Sequence, residues 1–110
     1  MSHHEYQSCI DACLKCAIEC EHCATACLND SQVKDMVECI QLDRDCALIC
    51  SLAAKLIARG SKYAQEMCAL CAKVCRDCAK ECEKHKHHEH CLKCAETCRK
   101  CAEECEKMAN

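Results

Sequence analysis

Nineteen cysteines in a chain of 110 residues are set at a spacing that a helix turns into chemistry. Cys9, Cys13, Cys16, Cys20, Cys23 and Cys27 follow one another at alternating steps of four and three, the pattern of heptad a and d positions. On an α-helix all six fall on one face. The stripe returns as Cys68, Cys71, Cys75, Cys78 and Cys82, and again as Cys91, Cys94, Cys98, Cys101 and Cys105. A sparser version runs through Cys39, Cys46 and Cys50. Thiols here stand where leucine ordinarily would. Cysteine does serve as a small hydrophobe when buried, but Ala, Val or Leu pack as well without the liability to oxidation. Binding of a soft metal is the chemistry these stripes point to.

Thiolates select Cu(I), Zn(II) or iron–sulfur clusters. Zinc asks for four ligands in a closed tetrahedron, usually with a Cys-x2-Cys knuckle set in a turn. Cys13 with Cys16 and Cys75 with Cys78 have that spacing, but they sit in unbroken helical sequence. Ferredoxin-type clusters use a loop run of Cys-x2-Cys-x2-Cys-x3-Cys-Pro, and this chain has neither that run nor any proline. Cu(I) accepts two or three sulfurs. With metal–sulfur lengths near the roughly 2.3 Å of zinc thiolates, a two-sulfur site needs sulfurs about 4.5 Å apart, a span that i and i+4 side chains can reach. Cys9/Cys13, Cys16/Cys20, Cys23/Cys27, Cys46/Cys50, Cys71/Cys75, Cys78/Cys82, Cys94/Cys98 and Cys101/Cys105 are such pairs. A facing helix could lend a third sulfur.

Charge bears on the loading. Buried thiolates repel one another unless compensated, and one Cu(I) per sulfur cancels the charge, so filling is expected to reach about 19 ions per chain. Zinc, at four sulfurs per ion, would stop near about five. Each ion should release about one proton, so affinity should fall in acid. Without metal the thiols are neutral, and the chain is expected to fold before metal arrives.

The elements that must position these thiols are helices. One Gly, no Pro and an abundance of Ala, Cys, Glu, Lys and Leu read as an all-α chain, of a length suited to one domain over residues 1–110. There are two Tyr and no Phe or Trp, so cysteine takes the place of the usual core aromatics. The net charge of −3 is small and the signs alternate, which gives no footprint for nucleic acid or a membrane surface. Met1 to Glu5 carry neither a basic n-region nor an apolar h-region, so reducing cytosol is the expected compartment and disulfides are not expected. Cβ atoms three or four residues apart on a helix lie about 5–6 Å apart, wider than the roughly 3.5–4.5 Å a disulfide wants.

Ser2 with Glu5 fits a capping box, predicting a first helix from near His3 to about Leu28, with Asn29, Asp30 and Ser31 as the turn. A second helix is predicted from about Gln32 to Arg59, with Gly60 as its left-handed cap and Ser61 capping the next. Its seam reads Met36, Cys39, Asp43, Cys46, Cys50, Ala53, Ile57. The third helix covers about Lys62 to Lys84 and the fourth about His87 to Met108. No Gly or Pro separates these two, but the stripe changes phase between Cys82 and Cys91, which predicts a break near His85 to His88. Residues 68–84 and 91–107 also repeat one another, from Cys-x2-Cys-Ala to Cys-Glu-Lys. One such helix cannot bury its thiol face alone, and short connections make successive helices antiparallel neighbours. An up-down-up-down four-helix bundle with a cysteine-lined core follows.

Antiparallel order sorts the seam ends into two mouths. Tyr6, Ile57, Ala64 and Met108 gather at one, where they would close the lumen. Met36, His85 and His87 gather at the other, with Asp43 one turn inside and His88 and His90 nearby, and that end is expected to be the way in. The alternative for a His-rich turn is a solvated loop, and His3, His4 and His22 lie off the stripe as surface residues. Leu14 with Ile18, and Leu48 with Leu52, are apolar i,i+4 pairs facing away from the seam and are candidate contacts between copies; scattered surface leucines are also ordinary.

With Cys-x3-Cys pairs on all four helices and a mouth bearing His and Met, the chain resembles the copper storage proteins, four-helix bundles whose lumen binds many Cu(I) ions. The resemblance covers essentially the whole chain. It implies the cytosolic branch of that family, a homotetramer, and copper taken in at the open end, which corresponds by position to Met36, His85 and His87. It also makes a copper chaperone or a small thiol carrier a candidate exchange partner. The second helix departs from a full stripe, with Asp43 and Ala53 on its seam. Two other functions are weighed against Cu(I) storage or detoxification. A zinc or redox buffer, like metallothionein, would saturate at fewer ions. An enzyme would need a thiol beside a base or an open metal position; Asp43 with Cys39 and His85 is the one candidate, and equivalent thiols offer no privileged nucleophile.

Overall fold

A computed structural model describes residues 6–110. The predicted capping box of Ser2 and Glu5, the helix start near His3, and His3 and His4 themselves lie outside the described residues. Four long helices follow in order: α1 (Gln7–Leu28), α2 (Val37–Ala58), α3 (Ala64–Glu83) and α4 (Glu89–Ala109), with a short 3-10 helix (Val33–Met36) leading into α2. Each runs for 20 to 22 residues, about 30–33 Å at 1.5 Å per residue. The rod they form measures 47 × 18 × 17 Å.

Each helix packs against two neighbours, α1 on α2, α2 on α3, α3 on α4 and α4 back on α1. The sulfurs show that the neighbours run antiparallel. Cys9 faces Cys105 and Cys27 faces Cys91 across α1 and α4, while Cys39 faces Cys82 and Cys50 faces Cys71 across α2 and α3. This is the predicted four-helix bundle. Close approach is possible because the positions flanking the stripes are small: Ala17, Ala24, Ala47, Ala72, Ala79, Ala95 and Ala102 are all buried.

The connections differ from the sequence expectation in ways that shape the mouth. Asp30 Oδ1 accepts the Gln32 N–H at 2.8 Å, and the N–H groups of Val33 and Asp35 bond back to the carbonyls of Asp30 and Gln32. These three-residue bonds wind the chain as a 3-10 turn. The α-helix predicted from Gln32 therefore begins at Val37, and Met36 is delivered fully buried. Gly60 has φ 64°, the left-handed cap predicted for α2. Ser61 Oγ accepts the Tyr63 N–H at 3.1 Å, so α3 starts at Ala64 rather than Lys62. Between α3 and α4, His88 is extended (φ −95°, ψ 121°), and its carbonyl accepts the N–H groups of Cys91 and Leu92. The break predicted near His85 to His88 is present, with α4 starting at Glu89 rather than His87.

Outer faces carry ion pairs that tie helices together. Arg99 grips both carboxylate oxygens of Glu83 at 2.6 and 2.9 Å, Arg76 pairs with Glu106, and Lys93 reaches Glu19 at 3.7 Å. Exposed pairs of this kind contribute roughly 0–1 kcal/mol each. Packing of the seams has to supply most of the stability.

Candidate metal centre

All nineteen cysteines are free and buried, Cys9 at 2% exposure and every other at 0%. Their sulfurs line the axis. Along single helices the i,i+4 contacts are 3.9 Å for Cys16–Cys20, 3.8 Å for Cys46–Cys50, 3.9 Å for Cys71–Cys75 and 4.0 Å for Cys94–Cys98. Between helices they are as short or shorter: 3.5 Å for Cys13–Cys105 and 3.6 Å for Cys20–Cys98, Cys46–Cys75 and Cys50–Cys71. A disulfide bond is about 2.05 Å long, so these are contacts between separate thiols. The sequence pairs cysteines along one helix; the folded chain groups them across helices.

Four-sulfur groups result. Cys13, Cys71, Cys101 and Cys105 have all their sulfurs within 4.8 Å of one another, as do Cys16, Cys46, Cys50 and Cys75, then Cys16, Cys20, Cys46 and Cys98, and Cys20, Cys78, Cys94 and Cys98. Cys16, Cys20, Cys46 and Cys98 each belong to two of these groups. A shared thiolate can bridge two ions, so adjacent groups form one connected file of donors.

Protons in such a file are held in common. Hydrogen bonding with Cys16 and Cys46 pushes the Cys20 thiol up, while hydrogen bonds from Cys16 and Cys20 pull Cys46 down. Loss of a proton from one sulfur is supported by S–H donation from the next, so the thiols titrate as a network. Nearer the mouth, burial and then the charge of Cys39 push Cys27 up to about 11.

Asp43 interrupts the sulfur file on α2 and is fully buried. Its Oδ1 lies 3.1, 3.6 and 3.4 Å from the sulfurs of Cys78, Cys82 and Cys94, and its Oδ2 lies 3.8 Å from Cys39. Burial, then the charges of Cys94 and Cys39, push its carboxyl up to about 9. In the metal-free chain Asp43 is thus a neutral acid at pH 7, compatible with a thiol lumen.

The mouth residues separate. Met36 is fully buried at the end of the α2 seam. His85 is half-buried, with Nε2 3.2 Å from Glu81 Oε2. His87 is exposed, its ring 4.1 Å from that of His88, and it does not join the sulfurs. His90 takes the place expected of it: Nδ1 lies 3.5, 3.7 and 3.9 Å from the sulfurs of Cys91, Cys23 and Cys27. These four residues form a group of possible ligands within 4.8 Å. The available signal was His90's position beside Cys91, flanking the first seam thiol of α4.

At the other end Ile57, Ala64 and Met108 are buried, and Tyr6 packs half-buried against the core. His22 is exposed, as expected. Leu14, Ile18, Leu48 and Leu52 are exposed on the outer faces of α1 and α2, with Ile18 at 72% and Leu48 at 71%. No described helix is long and apolar enough to cross a membrane.

An antiparallel bundle walled from within by free thiols, with imidazoles and a buried acid near one end, defines a polythiolate metal-binding protein. The chain belongs to the copper storage protein family, which it matches over residues 2–110. It is similar to the Cu(I)-bound copper storage protein BsCsp3, at 47% identity and a TM-score of 0.90, over 94% of this chain and 97% of that one. A cytosolic copper storage protein from Streptomyces lividans, carrying five coppers, is 38% identical with a TM-score of 0.92, over 97% and 93% of the two chains. The cysteine-rich protein YhjQ of Bacillus subtilis, itself uncharacterized, is 48% identical over 81 residues, 74% of this chain and 75% of that one.

Proposed function

We propose that this chain stores Cu(I) as cargo in its lumen, without catalytic turnover, as one copper-binding unit over residues 1–110. The carrying observation is the set of nineteen buried, free thiols, most of them with sulfurs in contact across helices. Such a donor set is soft, monoanionic once deprotonated, and shielded from water, which suits a soft monovalent ion. Shared membership of the four-sulfur groups supports multinuclear clusters with bridging thiolates over isolated two-sulfur sites. Copper enters at the Met36 end past His85 and His90. Cytosolic storage agrees with the Streptomyces relative, a cytosolic copper storage protein, and detoxification would follow from the same sequestration. Exposed Leu14, Ile18, Leu48 and Leu52 support a homotetramer, and a copper chaperone or a small thiol carrier would exchange the ion at the mouth.

Zinc buffering is favoured by one observation. Sulfur separations of 3.6–4.0 Å within Cys16, Cys46, Cys50 and Cys75 match the roughly 3.8 Å edge of a tetrahedral zinc thiolate with bonds near 2.3 Å. Charge opposes it, because about five zinc ions leave about half of the thiolate charge buried and uncompensated. Anaerobic Cu(I) titration in competition with a chromophoric chelator separates the two. Uptake continuing to about one ion per thiol supports storage, and saturation at about four or five ions rejects it.

A further inference from the structure

The end of the rod away from the histidines is plugged along its axis but not along its side. Between the start of α1 and the end of α4 lies a pocket of about 180 Å³, with Ser8, Cys9, Glu104, Lys107 and Met108 in its wall. Cys9 is the one thiol of the nineteen that keeps any exposed surface. Its sulfur lies 3.9 Å from that of Cys105, which is 3.5 Å from that of Cys13, so the pocket opens onto the last link of the sulfur file. A larger groove of about 440 Å³ runs on along the same two helices, lined in part by Asp11, Lys15, Glu96 and Lys100. Ser8 and Glu104 line both spaces. The Ser8 hydroxyl donates to Glu104 Oε1 at 2.9 Å, a bridge from α1 to α4 where the two spaces adjoin.

The groove differs chemically from the mouth. It has two cations, Lys15 and Lys100, facing the anions Asp11, Glu96 and Glu104, and no imidazole in its wall. That mixture suits a small molecule bearing carboxylates and an ammonium together, and its volume falls within the roughly 300–1,000 Å³ of small-molecule pockets. Leu14, Ile18, Leu48 and Leu52, the residues offered to other copies, are absent from both linings, so contacts through them leave the groove open. Cu(I) accepts two or three sulfurs and can therefore pass between thiolates while held by both. We propose that this side opening is a second exchange site: a small zwitterionic thiol docks in the α1–α4 groove, and its sulfur reaches through the adjoining pocket to take Cu(I) from Cys9. In that step the copper–sulfur bond to Cys9 breaks as the bond to the incoming sulfur forms. The incoming thiol gives up its proton, Cys9 regains one, and copper stays monovalent. The cargo rests on the storage reading, whereas docking in the groove does not.

Glutathione is a probe of this chemistry, and its diethyl ester, which lacks the carboxylate charges, is the control. In anaerobic NMR titration of the metal-free protein, glutathione should shift amides of residues 8–15 and 96–104 saturably, and Lys15→Gln with Lys100→Gln should abolish the shifts. From the Cu(I)-loaded protein, with excess chromophoric chelator as final acceptor, glutathione should speed transfer about fivefold more than the ester, as two exposed ion pairs would. The double lysine variant should reduce glutathione to the rate of the ester. Ser8→Trp, which fills the smaller pocket, should keep the docking shifts and lose the acceleration, while His90→Ala should keep both. Shifts confined to the histidine turn overturn the proposal. So do equal rates with glutathione and its ester, full acceleration in Ser8→Trp, or its loss in His90→Ala. Failure of the storage reading would appear instead as low copper capacity with the docking shifts intact.

Discussion

The two ends of the lumen are framed by the same four helices and closed by opposite means. At one, Ile57, Ala64 and Met108 meet with Tyr6 against them, an apolar plug that needs no partners. At the other, Met36 is joined by Asp43, Glu81, His85, His88 and His90, and polar groups there are useful only if each is satisfied. They are: among the described residues no buried side-chain nitrogen or oxygen lacks a partner. Carboxyls meet thiols at Asp43 and imidazoles at Glu81 and Asp30. An assembly of this kind is costly to leave half-made. Its presence at one end alone distinguishes the two ends of the lumen, and the proposed way in lies at the polar one.

That contrast can be broken most forcefully in the middle. Replacing Cys16, Cys46, Cys50 and Cys75 by Ser should lower Cu(I) capacity by about four ions, because charge neutrality ties each ion to a thiolate, and should leave initial uptake at the mouth intact. Elemental analysis after desalting checks the count. An undiminished capacity would show that these sulfurs are spectators.

Asp43 tests the polar end without metal. Its folded-state pKa of about 9 lies above the ordinary 3.8, so between those values the folded chain holds a proton that the unfolded chain has lost. Stability is then fully present below the unfolded value and falls as pH rises through the window, by up to about 1.4 kcal/mol per pH unit. Asp43→Asn should remove this slope. Anaerobic denaturation of both metal-free proteins at several pH values measures it, and parallel profiles would mean that Asp43 is ionised in the fold.

The smallest effects sharpen the difference between the ends. His85→Ala should slow Cu(I) uptake several-fold, since the lost ring stands at the polar end, held by Glu81. His87→Ala and, at the opposite end, Met108→Leu should leave the rate within about twofold, the first because the ring is exposed and the second because volume is conserved. Stopped-flow traces decide, and slowing by Met108→Leu alone would relocate the way in.

Much of this was legible in the residues. Stripes at steps of four and three specified which face of each helix turns inward, and every striped cysteine is buried there, with Asp43 and Ala53 in the α2 seam. A shift in the phase of the stripe located the α3–α4 break without any Gly or Pro. His87 misled for a definable reason. Four residues before Cys91, it shares the seam face only if the helix extends that far, and extended His88 with α4 starting at Glu89 removes it from the register. The late start of α2 depends on one side-chain bond, Asp30 to the Gln32 N–H, which competes with helix in a way that spacing does not reveal. Pairing of sulfurs across helices was equally hidden, because sequence gives the i,i+4 neighbour and not the distance to the facing helix.

The central claim is that lumen sulfur holds monovalent copper, and diffraction from Cu(I)-loaded crystals at wavelengths on either side of the copper absorption edge tests it most directly. Anomalous peaks should lie in a file along the axis between Cys9 and Cys91, each about 2.3 Å from two or three cysteine sulfurs. Peaks confined to the histidine turn or the outer faces, with the axial thiols unligated, would contradict it.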